Sequence, residues 1–180
     1  MGKTHAEMSD DLKQFIEAQK LFFVATAPTG AEGHINVSPK GHDSLRILGP
    51  KSLAYLDLYG SGIETVAHLR QNGRITIMLC AFDGPPRIVR LYGKGVSTDP
   101  AHSEFARLRA LFPAYPGTRS IIRVDLDRIA DSCGFAVPLF RFEAHRPQLL
   151  TAAEKRGADG VAEYCRQHNA VSIDGLPGLF

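Results

Sequence analysis

The 180 residues, 44% hydrophobic and 22% charged, have the balance of a globular chain long enough for one domain with a full core. A formal net charge of +2, without a basic or acidic block, argues against nucleic acid as a partner. No apolar run reaches membrane-span length, the start Met1-Gly2-Lys3-Thr4-His5 is polar, and Cys80, Cys133 and Cys165 share no metal-type spacing, so the expectation is a cytoplasmic protein with reduced thiols.

Ser9-Asp10-Asp11 reads as a helix start, with Leu12, Phe15 and Ile16 on one face and Lys20 at the end. Leu21 to Ala27 is strand-like. The turn residues Pro28 to Gly33 then predict a hairpin with His34 to Ser38, which Pro39 is expected to end. Short strands follow at Leu45–Leu48 and Ser52–Leu58. Ser61 and Glu64 have capping-box spacing before a helix that Gly73 closes. Ile75 to Phe82 is a continuous apolar run, as in a strand covered on both faces.

Arg87 to Ser97 predicts a long strand, with Gly93 and Gly95 marking a bend, and Asp99-Pro100 is read as the cap of a helix that Pro113 stops. From Arg119 to Asp127 the chain alternates, Ile122, Val124 and Leu126 facing one way and Arg123, Asp125 and Asp127 the other. Phe135 to Phe142 reads as a loop and then a short strand. Thr151 with Glu154 repeats the capping-box spacing, Val161, Tyr164, Cys165 and His168 mark a helical face, and Gly157 and Gly160 divide that segment. Strands joined by short turns favour a closed antiparallel barrel with helices outside. The expected organisation is a single domain, 1–180, with a barrel core over 9–132 and a helical extension and tail over 133–180.

Two places carry possible chemistry. Ser38 and Lys40 stand at a strand end, where a hydroxyl and an ammonium can read an anion; the plainer reading is an edge strand with a solvated lysine. Gly60-Ser61-Gly62 precedes a helix N-terminus, whose free N–H groups favour an anion, although Ser61 could simply cap its own helix. Glu64 opposes a phosphate there unless Arg74, Arg70 or Lys40 neutralises it. Gly93-Lys94-Gly95 imitates a dinucleotide loop, but Thr98 replaces the third glycine and Asp99 would repel a pyrophosphate, so barrel-bend glycines are the preferred reading. The seven histidines are scattered, and no metal site is expected.

The order Asn36-Val37-Ser38-Pro39-Lys40-Gly41, Tyr59-Gly60-Ser61-Gly62-Ile63-Glu64-Thr65, Val66 to Gly73 and Arg74-Ile75-Thr76-Ile77-Met78 resembles the pyridoxamine 5′-phosphate oxidase-like family, the FMN-binding split barrels. The resemblance spans about Ser9 to Ser132. It implies a six-stranded antiparallel split β-barrel with peripheral helices, mainly β in class. It also implies a homodimer with the cofactor at the subunit interface, acting on a small-molecule substrate or electron donor. Ser38 and Lys40 would lie along an FMN, Ser61, Gly62 and Thr65 near its phosphate, and Arg74 would serve as a further cofactor-binding charge.

Vitamin-oxidising members carry an adjacent Arg and Lys at the helix start, where this chain has Glu64 and Thr65, and their late Arg- and His-containing substrate motif is missing from the tail. The function implied is an FMN-dependent oxidoreductase of unassigned substrate. The alternative is a protein that binds flavin, deazaflavin F420 or haem without pyridoxamine phosphate oxidase activity, as a sensor, carrier or interaction module.

Overall fold

A computed structural model describes residues 2–179. Its strands are β1 (Lys3–His5), β2 (Phe22–Thr26), β3 (Asn36–Lys40), β4 (Leu45–Gly49), β5 (Ser52–Leu58), β6 (Arg74–Cys80), β7 (Ile88–Thr98) and β8 (Thr118–Ser132). The helices are α1 (Asp10–Ala18), α2 (Glu64–Asn72), α3 (Phe105–Arg109) and α4 (Gln148–His168). All strand pairs are antiparallel, in the order β3-β2-β6-β7-β8-β5-β4, with β1 beside β8. The sheet therefore has eight strands where six are expected. The polar Lys3-Thr4-His5 carries no strand signal of its own; it is recruited because β8 runs on past β5 and offers a free edge at Ile129–Asp131.

The barrel is split, not closed. Its two edges, β3 and β4, are consecutive in the chain, and the four residues between Lys40 and Leu45 bring them together without a ladder between them. Pro39 does not end β3: it pairs with Phe23, and Lys40 with Phe22, because an edge strand can present proline's missing N–H outward.

Inward-facing apolar residues fill the barrel. Leu53 and Tyr55 of β5 join Val24, Ile77, Leu91, Ile122 and Val124 in the main core, while Ala54 and Leu56 on the other face of β5 pack with Ile121, Leu108 and Phe112 under α3. The alternation of β8 is thus realised as predicted, and β5 is covered on both faces. A register shift falls between Tyr92 and Gly93, where any Cβ at Gly93 would collide with the Asp125 backbone. Gly73 closes α2 in the left-handed conformation at φ 69°.

Several local expectations are corrected. Ser61 caps nothing: Ile63 is the N-cap of α2, without a side-chain cap bond, and Glu64 turns to the tail. Asp99 stabilises only its own turn, through the Ala101 N–H, and α3 begins at Phe105. Residues Phe135 to Phe142 form no strand, because no sheet edge lies open beside them. Thr151 lies inside α4, which starts at Gln148, and Gly157 alone kinks that helix, at φ 66° and ψ 174°.

Candidate functional site

β3 alternates strictly: Ile35, Val37 and Pro39 are exposed, while Asn36, Ser38 and Lys40 turn inward at the split. Opposite them are Leu56 and Leu58 of β5 and the loop Tyr59-Gly60-Ser61-Gly62. Between the two sides lies a cavity of about 250 Å³, also lined by His42, Ser44, Glu64, Thr65, Arg119 and Leu149.

A buried charge pair forms the cavity floor. Asp57, fully buried on β5, accepts from Arg119 Nε at 2.7 Å, Arg119 Nη2 at 3.3 Å and Ser120 Oγ at 3.0 Å. Burial alone would push its carboxyl up; the Arg119 and Lys40 charges outweigh that and hold it below the usual carboxylate range. Arg119 Nη1 donates to the Gly62 carbonyl at 2.8 Å and to Asn169 Oδ1 at 2.9 Å, and Asn169 Nδ2 donates to the Gly60 carbonyl at 2.9 Å. One guanidinium therefore fixes the Gly60–Gly62 loop and ties it to the chain after α4. Lys40 Nζ stands 3.8 Å from Asp57 Oδ1.

A second polar run lies along the cavity wall. Asn36 Nδ2 donates to Thr65 Oγ1 at 3.0 Å and to Thr26 Oγ1 at 3.2 Å, and Thr26 Oγ1 bonds the fully buried His68 Nδ1 at 3.0 Å. Burial holds the His68 imidazole below its ordinary value, against the opposing pull of Asp174 and Glu64. Ser38 Oγ is buried without a protein partner. An orphaned hydroxyl costs desolvation energy, and a bound molecule would satisfy it.

Of the residues singled out from the sequence, Ser38, Lys40, Gly62 and Thr65 come together on this cavity. Ser61 lines the adjoining cavity with His34, Ile35 and Ile173, sharing Asn36, Gly62 and Glu64 with the first. Arg74 is elsewhere, in a cavity beside Tyr92 and Asp127, where it donates to the Pro28 carbonyl and Asn72 Oδ1. The sequence reading passed over Asn36, His42, Asp57, Arg119 and Asn169. Asp57 was detectable as the lone charge in an apolar strand; Asn169 carries no local signal.

An antiparallel split barrel with a polar, ligand-sized recess at its open seam defines the class. A family profile described as pyridoxamine 5′-phosphate oxidase matches residues 8–133. The pyridoxamine 5′-phosphate oxidase family protein ustO of Aspergillus flavus is 40% identical, the match covering 97% of this chain and 77% of that one. The chain belongs to the pyridoxamine 5′-phosphate oxidase family. Its fold is shared with HupZ of Group A Streptococcus, at TM-score 0.53 and 24% identity over 67% of this chain and 90% of that one. It is shared also with a putative pyridoxamine 5′-phosphate oxidase of Lactobacillus delbrueckii, at TM-score 0.53 and 16% identity over 71% and 98%. No helix of the described residues is long and apolar enough to cross a membrane.

Proposed function

We propose that the protein is a flavin-dependent oxidoreductase that uses FMN, acts as a homodimer on a small-molecule substrate, and works in the cytoplasm. The observation that carries this reading is the recess itself: inward Asn36, Ser38 and Lys40 on one side, Leu56, Leu58, Tyr59 and Leu149 on the other, in a chain of this family. The apolar walls suit the faces of a planar ring. Asn36 and the unpartnered Ser38 hydroxyl suit its polar edge, and Lys40 would favour negative charge there. A bound flavin would supply the redox chemistry; the chain binds it, orients it and limits water.

The fit is poorer at the start of α2. Glu64 stands there in place of the cations of the vitamin-oxidising members, and its carboxylate lies against Gly62. That departure supports a substrate other than pyridoxamine 5′-phosphate.

The dimer is supported by size and by surface. About 250 Å³ falls short of the roughly 300–1,000 Å³ of a typical small-molecule pocket. Around the adjoining cavity, Ile35 is 75% exposed, Val37 62% and Ile173 72%. A second copy packed there would deepen the recess and cover this apolar surface.

The test is anaerobic mixing of the FMN-loaded protein with NADH or NADPH. The proposal expects loss of the oxidised flavin's visible absorption and its return with air. A flavin that binds and never bleaches with either donor would remove the nicotinamide-linked oxidoreductase reading and leave a flavin carrier.

A further inference from the structure

The cations near the recess are unequally free. Arg119 commits its donors to Asp57, Gly60, Gly62 and Asn169. Arg70 donates to the Gly178 carbonyl, and Arg74 is held by Pro28 and Asn72 in another cavity. Lys40 differs. Its side chain is 22% exposed, so it belongs to the cavity wall, yet its ammonium makes no hydrogen bond among the described residues. Its one close acid is Asp57 at 3.8 Å, a carboxylate already answered by Arg119 and Ser120. Lys40 is a charge with unused donors.

His42 follows on the same turn. Its backbone is left-handed, at φ 61°, the sole such non-glycine among the described residues. Glycine would adopt that conformation without strain, so the imidazole is presented at a conformational cost. The turn is rigid: Ser44 Oγ donates to the Gly41 carbonyl at 2.6 Å, and the Asp43 N–H donates to Tyr115 Oη at 3.3 Å. The His42 ring lies between Tyr115, at 5.6 Å, and His145, at 5.1 Å. The His42 N–H donates to His145 Nδ1 at 3.2 Å, which requires that nitrogen to be an unprotonated acceptor. The ring nitrogens of His42 itself make no hydrogen bond among the described residues. The α2 side of the recess is the reverse: Glu64 puts a carboxylate in the first turn, and no free cation accompanies it.

We propose that the anionic group of the bound molecule is held at the turn after β3, by Lys40 and His42, and not at the N-terminus of α2. The inference rests on the flavin reading and reverses the placement of phosphate that family resemblance implies for Gly62 and Thr65. The chemistry is a phosphate or carboxylate accepting hydrogen bonds from an ammonium and an imidazole N–H. It can come from the flavin's own phosphate or from an acidic group on a second molecule.

The experiment is calorimetric titration of the full chain with FMN and with riboflavin, which lacks the phosphate, at fixed ionic strength. If the flavin's phosphate is the anion, the wild type binds FMN at least tenfold more tightly than riboflavin. Lys40→Gln then removes the preference while riboflavin affinity stays within about threefold, Lys40→Arg keeps it, and His42→Gln reduces it about threefold or more. Glu64→Gln changes FMN affinity by less than about threefold. If the anion belongs to a second molecule, the two flavins bind alike, and inorganic phosphate binds the riboflavin complex in a manner that Lys40→Gln weakens tenfold.

An FMN preference that survives Lys40→Gln overturns the proposal and leaves the flavin reading standing. So do tenfold tighter FMN binding in Glu64→Gln, and equal flavin affinities with no phosphate binding. Failure of the wild type to bind either flavin overturns the flavin reading, and the proposal with it.

Discussion

Asp57 and Arg119 do the most work for two side chains. Their attraction offsets a large desolvation cost only because Ser120, Gly60, Gly62 and Asn169 satisfy the remaining donors and lone pairs. Asp57→Asn leaves the buried Arg119 charge uncompensated, and chemical denaturation should show a loss of roughly 3–5 kcal/mol near neutral pH. The pH dependence follows from the sign of the shift. The folded carboxyl lies below its ordinary 3.8, so its contribution is complete above that value and is lost as pH falls through the folded value. The gap between wild type and Asp57→Asn should therefore narrow below about pH 4; a gap that stays constant into acid would show that the carboxylate charge is not what stabilises. The pair was half legible in the sequence. A charge amid Leu53-Ala54-Tyr55-Leu56 signals a buried partner, but only the β5–β8 register, which sets Asp57 opposite Ser120, says where to look.

β3 and the chain after α4 illustrate which elements a sequence announces. The β2–β3 hairpin, the Gly73 stop and the two faces of β8 follow from local periodicity and turn chemistry, and they form as read. The capping boxes at Ser61 and Thr151 fail because spacing cannot say whether the chain is free to cap itself. Glu64 finds the Ile173 N–H instead, and Thr151 is already inside a helix.

Residues 169–178 had no periodicity to read, yet they form a strap over the site. Asn169 grips Gly60 and Arg119, Asp174 pairs with His34 at 2.7 Å, and the Gly178 carbonyl receives Arg70. Asn169→Ala leaves the Gly60 carbonyl and one Arg119 N–H without a partner. It should cost about 1–3 kcal/mol in urea unfolding and weaken flavin binding, because the Gly60–Gly62 loop loses its tie. Unchanged stability and unchanged binding together would show the strap to be passive.

The whole molecule is a sheet curled until its edges meet across a four-residue turn, with the recess along the seam. The fold was legible because turn-linked strands and motif order both point to a split barrel. The seam's chemistry was legible in part, since β3 displays its polar face in strict alternation. The Arg119 floor was not, because it joins residues 62 positions apart in the chain. If a second copy covers Ile35, Val37 and Ile173, then Val37→Glu should turn a sedimenting dimer of 19.6 kDa chains into monomers. Flavin affinity should fall with it and circular dichroism should not change; a Val37→Glu dimer would place the interface elsewhere.

The central claim, that the recess holds a flavin, meets its most direct test in the visible absorption spectrum of the purified chain after incubation with FMN and removal of unbound ligand. The account predicts the two-banded flavin spectrum at close to one flavin per chain, lost in Lys40→Gln. A colourless protein, or the Soret band of haem, would contradict it.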